Sequence, residues 1–144
     1  MAKILIIEDD KDLIETMKLT LESRGHEVVP AYNGEEGLSV LKSTIPDIII
    51  LDVMMNRKTE GFDTSYKIRE DKSLRSIPIL MISAINERIS GFGISTASDG
   101  EFLPVDDFLE KPIPPEDLIV KVEELLGKKV SKWANWPEKA EDTP

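Results

Sequence analysis

The feature that most constrains this chain is a set of nearly unbroken aliphatic runs: Ile4 to Ile7, Asp47 to Leu51 and Ile77 to Ile82. A strand with one wet face alternates polar and apolar residues. A run without alternation must be covered on both faces, which is the pattern of a parallel sheet buried between helices. Asp107 to Leu109 reads as a shorter strand of the same kind, and Glu27 to Ala31 as a fifth. Pro30 lacks the N–H that a central strand needs, so this fifth strand belongs at a sheet edge.

Helical patterns separate the strands. Leu13, Met17 and Leu21 fall four apart with Ile14 beside them, and Gly25 supplies a stop. Asn33 reads as an N-cap, with Glu35 and Glu36 favoured by the helix dipole and Leu38 and Leu41 as the buried stripe. Phe62, Tyr66 and Arg69 predict a third helix. A further helix begins at Pro114 and Pro115, buries Leu118, Ile119, Val122, Leu125 and Leu126, and is expected to stop at Gly127. Strands alternating with helices imply right-handed βαβ units, hence a doubly wound α/β sandwich around five parallel strands. Ala84 to Pro104 resists a helical reading, because Gly91, Gly93 and Gly100 fall among serines and threonines. A short helix near Glu87 to Ser90 followed by a long loop is expected there.

Composition removes several function classes. At 144 residues the chain fits one domain, a size that buries roughly 70% of its unfolded surface. Its apolar runs fall far short of the roughly 18 residues that span a bilayer, and no leader pattern precedes Lys3. A cytoplasmic protein with no membrane partner is expected. There is no cysteine, which excludes disulfides and thiolate chemistry, and His26 alone cannot build a histidine metal site. His26 is expected to lie solvated at a helix-to-strand turn. The net charge of −10, with no basic patch, argues against nucleic-acid binding. Residues 1–127 form the predicted domain. The polar segment 128–144 is set apart by Trp133 and Trp136, whose indoles favour burial and are expected to dock on the domain or on a partner.

The reactive side chains collect at one place in this scheme. Glu8, Asp9 and Asp10 follow the first strand, Asp52 ends the third, Ser83 ends the fourth and Lys111 follows the fifth. These are the carboxyl ends of parallel strands, where open α/β sheets bind ligands. If the first and third strands are neighbours, Glu8, Asp9 and Asp52 meet in one shallow cup. Two carboxylates about 4 Å apart repel by roughly 4 kcal/mol at an effective dielectric of about 20, so a hard divalent cation such as Mg²⁺ is the natural remedy. Mg²⁺ in turn implies a phosphoryl substrate, with Lys111 and Ser83 placed to meet its oxygens. Each residue has a plainer alternative: the acidic triplet as a helix start, with Asp10 the cap; Asp52 as a turn residue; Lys111 as surface charge; Ser83 satisfying backbone groups; Phe108 as core. Convergence on one sheet edge favours the site.

The run ILIIEDD, the run IIILD ending at Asp52, Ser83-Ala84 after an aliphatic strand, and Phe108-Leu109-Glu110-Lys111-Pro112 together resemble the receiver family of bacterial two-component signalling, over about residues 1–127. The resemblance implies a flavodoxin-like strand order 2-1-3-4-5. It implies that Asp52 accepts a phosphoryl group from a phosphohistidine of a sensor histidine kinase or phosphotransfer protein. Asp9 resembles the direct Mg²⁺ ligand, Glu8 its water-mediated companion, and the backbone carbonyl of Met54 a further ligand. Lys111 resembles the phosphoryl-binding lysine, Pro112 a proline after a cis peptide, Ser83 the switch hydroxyl and Phe108 the switch aromatic. A phosphoacceptor switch acting on a protein effector is thus expected, and not an enzyme with turnover. The region between Asp52 and Gly61 lacks the family's usual proline and is one residue longer, and the stretch from Ser83 to Lys111 is longer by about six residues. A degenerate receiver that only docks partners is the alternative. An aspartyl-phosphate hydrolase would want an acid where Met54 stands, and a flavin module a small, hydroxyl-rich loop where Glu8, Asp9 and Asp10 stand. With no effector domain after residue 127, the expectation is a stand-alone receiver or a fragment of a longer protein.

Overall fold

The computed structural model describes residues 2–52, 60–84 and 105–128, with only the backbone at 60, 62 and 84. In chain order it comprises β1 (Lys3–Ile7), α1 (Lys11–Glu22), β2 (Glu27–Ala31), α2 (Gly34–Leu41), β3 (Ile48–Asp52), α3 (Glu60–Glu70), β4 (Ile79–Ala84), β5 (Asp107–Lys111) and α4 (Pro115–Lys128). The five strands form one parallel sheet in the order β2-β1-β3-β4-β5, so the expected fold and order hold. Pro30 lies in the edge strand β2, opposite Ile6.

The unbroken aliphatic runs are explained by two core layers. Leu5, Ile7, Ile49, Leu51, Ile79 and Met81 point to the side of α2 and α3, together with Leu41 and Ile68. Ile4, Ile6, Ile48, Ile50, Leu80 and Ile82 point to the opposite side, against Ile14, Met17 and Leu21 of α1 and Leu118, Val122 and Leu125 of α4. Successive residues of a strand face opposite ways, so burial on both sides demands an apolar residue at every position.

Local signals fix the helix ends. Asp10 caps α1 by accepting the Leu13 N–H at 3.1 Å, and Asn33 caps α2 by accepting the Glu36 N–H at 2.8 Å. Gly25 ends the α1 connection at φ 85°, a left-handed conformation that favours glycine. Gly37 presses α2 onto the sheet: a Cβ there would meet the Ile7 side chain, with Cγ1 only 2.8 Å away.

Several sequence expectations are corrected. β4 begins at Ile79, because Pro78 keeps Ile77 in the preceding turn, and it runs on to Ala84. β3 begins at Ile48 and ends at Asp52, one residue later at each end than expected, and β5 extends to include Lys111. The last helix does not stop at Gly127 but continues to Lys128. His26 is half-buried, its Nδ1 accepting the Ala2 N–H at 3.2 Å. The predicted short helix at Glu87 to Ser90 and the tail tryptophans lie outside the described residues.

One buried feature escaped the sequence reading. Arg69 is completely buried; its Nη1 donates to the carbonyls of Arg75 at 2.9 Å and Ile77 at 2.8 Å, and its Nη2 to Asp106 Oδ2 at 3.0 Å. The same Asp106 oxygen accepts the Ile79 N–H at 2.8 Å. Burial lowers the Arg69 pKa to about 10 despite the opposing pull of Asp106. This pair ties the end of α3 to the beginnings of β4 and β5.

Candidate functional site

In the order 2-1-3-4-5 the chain reverses direction of winding between β1 and β3, and the carboxyl edge of that crevice is where such sheets bind ligands. Glu8, Asp52 and Lys111 reach it for a common reason. Each lies an even number of residues after a side chain of the α1–α4 core layer: Ile6, Ile50 and Leu109. Strand alternation therefore sends all three to the same side at the same edge. Glu8 is held by its own backbone, whose N–H donates to the Ala31 carbonyl at 3.0 Å and extends the β1–β2 pairing.

Glu8, Asp9 and Asp52 each offer a carboxylate oxygen within 4.8 Å of the others. Glu8 and Asp52 are buried, while Asp9 is half-buried. Lys111 Nζ stands 3.1 Å from Glu8 Oε1 and 3.4 Å from Asp52 Oδ2. Glu8 Oε2 accepts the Asp10 N–H at 3.0 Å, which braces the acidic turn. Asp10 itself is exposed and used as the helix cap, as expected from the sequence. Burial pushes the Glu8 carboxyl above its ordinary value; the Asp10 N–H, Lys111 and Asp52 oppose the rise, and Asp9 adds to it. For Lys111, burial pulls the ammonium down, but Asp52 and Glu8 outweigh it and the net shift is upward. The site thus holds three carboxylates against one ammonium, an excess of negative charge with low solvent access.

Ser83 is completely buried, and its Oγ has no hydrogen-bond partner among the described residues. It shares a strand face with Met81, in the layer that also receives Phe108. Since Met81 pairs with Phe108 and Ser83 with Glu110, Ser83 and Phe108 are diagonal neighbours on one sheet face. The Lys111–Pro112 peptide is cis, as the resemblance implied. Met54 lies outside the described residues. The direct pairing of Lys111 with Glu8 goes beyond the sequence expectation, which sets the lysine across the acidic cup to meet a phosphoryl oxygen. The surplus of carboxylates was the signal that could have revealed it.

The donor set suits a hard cation. Carboxylate oxygens without nitrogen or sulfur are the ligands Mg²⁺ favours, and a buried, crowded acidic pair is what such an ion would relieve.

A parallel sheet in this order, with an acidic cup and a lysine at its crevice, defines the receiver class of signalling domains. Comparison with known proteins gives the same answer: residues 4–123 match the response regulator receiver domain, and the chain belongs to that family. It is 33% identical over 129 residues to the DNA-binding dual master transcriptional regulator RpaA of Synechocystis sp., covering 88% of this chain and 49% of that protein. Against the alkaline phosphatase synthesis transcriptional regulatory protein PhoP of Bacillus subtilis it is 31% identical over 125 residues, covering 86% and 48%. The chain therefore spans about half the length of these relatives. Among solved structures, the chemotaxis response regulator CheY4 of Vibrio cholerae superposes with a TM-score of 0.74 at 28% identity, covering 87% of this chain and 98% of that one. The protein is thus a response-regulator receiver domain of two-component signalling. Among the described residues no helix is long and apolar enough to cross a membrane.

Proposed function

We propose that Asp52 accepts a phosphoryl group from a phosphohistidine on a partner kinase or phosphotransfer protein, in a reaction that depends on Mg²⁺. The observation that carries this reading is the meeting of Glu8, Asp9 and Asp52 within 4.8 Å of one another, with Lys111 paired to Glu8 and Asp52. An Asp52 oxygen attacks phosphorus, the bond from phosphorus to the imidazole nitrogen breaks, and that nitrogen keeps the electron pair. The product is an acyl phosphate on Asp52. Glu8, Asp9 and Asp52, with the Met54 carbonyl implied by the family resemblance, would hold the cation, whose role is to offset charge on the carboxylates and the transferring group. Lys111 then exchanges its contact with Asp52 for one with a phosphoryl oxygen.

Ser83 supplies the link to output. Its buried Oγ lacks a partner among the described residues, so a phosphoryl oxygen offers the hydrogen bond it is missing. Drawing the hydroxyl toward Asp52 opens room on the face it shares with Phe108, and the aromatic ring turns inward. The altered surface controls a protein effector. DNA binding is named for one relative about twice as long, RpaA, while the acidic charge of this chain disfavours a direct nucleic-acid partner.

The test is intact mass after incubation with Mg²⁺ and a small phosphodonor. One added phosphoryl group is expected, lost in Asp52→Asn with the circular dichroism spectrum unchanged. Continued labelling of Asp52→Asn would move the nucleophile elsewhere. No labelling of the wild type would leave a receiver that only docks partners.

A further inference from the structure

Leu19 of α1 and Val120 of α4 are 63% and 53% exposed. The two helices pack side by side, and their inner stripes feed one core layer. Leu19 falls opposite the Ile14, Met17 and Leu21 stripe, and Val120 opposite Leu118, Val122 and Leu125, so both point outward from adjacent helices. Each sits in an acidic frame. Glu15 and Glu22 flank Leu19 on α1, and Glu116, Asp117, Glu123 and Glu124 surround Val120 at helical spacing, all of them exposed.

The segment that leaves α4 carries the complement: Trp133 and Trp136, with Lys129 and Lys132 just before the first indole. We propose that residues 129–137 turn back over the outward face of α1 and α4, laying the two indoles on Leu19 and Val120 with the lysines against the surrounding carboxylates. Reach permits it. Trp133 is five residues beyond Lys128, at most about 17 Å of extended chain. A neighbouring helix axis lies only about 8–10 Å away. Val120 stands eight residues before Lys128, about 12 Å along the helix, and Trp136 is eight residues past it. This contact is independent of the phosphoacceptor reading.

Trp133 and Trp136 are the only tryptophans in the chain, so indole emission reports this segment alone. In the full chain, emission should be blue-shifted from that of the urea-unfolded protein, with acrylamide quenching lower by about twofold or more, as for buried indoles. Leu19→Asp and Val120→Asp should each move both readings toward the unfolded values, with circular dichroism unchanged. Ile45→Asp, at an equally exposed residue on another connection, should not. Lys129→Glu with Lys132→Glu should act like Leu19→Asp, and adding Glu123→Lys with Glu124→Lys should restore the blue shift. Native emission equal to that of the unfolded chain, or emission unmoved by the Leu19, Val120 and lysine variants, would overturn the proposal. So would emission that varies with protein concentration, which would assign the indoles to a second copy.

Discussion

Asp52→Asn tests whether the acidic cup is maintained for chemistry at the expense of stability. Lys111 at 3.4 Å attracts the Asp52 carboxylate by about 5 kcal/mol at an effective dielectric of about 20. Glu8, within 4.8 Å and equally buried, repels it by at least about 3.5 kcal/mol on the same scale. Half-buried Asp9 adds about 1–2 kcal/mol of repulsion once solvent screening is allowed for. Attraction and repulsion therefore nearly cancel. What remains is the cost of keeping a charge in a group only 1% exposed, which is several kcal/mol before other hydrogen bonds offset part of it. Removing the charge while keeping the shape should raise stability by about 2 kcal/mol, a rise in melting temperature of about 4–8 °C for a chain of this size. Thermal unfolding without divalent cations reads this directly. Mg²⁺ near 100 times its dissociation constant should then add about 2.7 kcal/mol to the wild type by mass action, and much less to Asp52→Asn. A variant that melts below the wild type, or that gains equally from Mg²⁺, would refute the reasoning.

Arg69→Met should cost about 3–5 kcal/mol, read as a lower urea midpoint, because it takes the guanidinium away from the little-exposed Asp106 carboxylate; Arg69→Met with Asp106→Leu should lose less than the sum of the two. With the Arg69 pKa lowered to about 10, burying this charge costs stability at neutral pH, and the cost is relieved only as pH rises past about 10. Glu8 gives the opposite slope: its raised folded pKa makes the contribution complete below the unfolded value near 4.5 and lost as pH climbs through the folded value. Glu8→Gln should remove that part of the pH dependence of urea unfolding and weaken Mg²⁺ binding measured by calorimetry. Gly37→Val should cost about 1–3 kcal/mol through collision with Ile7, read as a lower urea midpoint, leaving Asp52 labelling intact.

The sheet was legible because its causes are local. Two-sided burial demands unbroken aliphatic runs, a proline marks an edge, and caps such as Asp10 and Asn33 announce helix starts through contacts three residues away. The site was legible because strand ends are. Once the runs were placed, Glu8, Asp52, Ser83 and Lys111 had to reach one edge. Gly127 misled, since a glycine at the end of a helix permits a stop without requiring one.

Tertiary structure alone decided what depends on residues distant in the chain. Arg69 looks like an ordinary charge on a helix, yet Asp106, far along the chain, and two turn carbonyls make it a core residue. Only assembly of the sheet sets Lys111 between Glu8 and Asp52, and only assembly gives Ser83 and Phe108 a common face. Sequence pattern records what each segment must bury, since burial leaves a periodic mark on the residues themselves. It carries no mark of which buried charge meets which, because that is fixed by distances through space between strands that are neighbours only after folding.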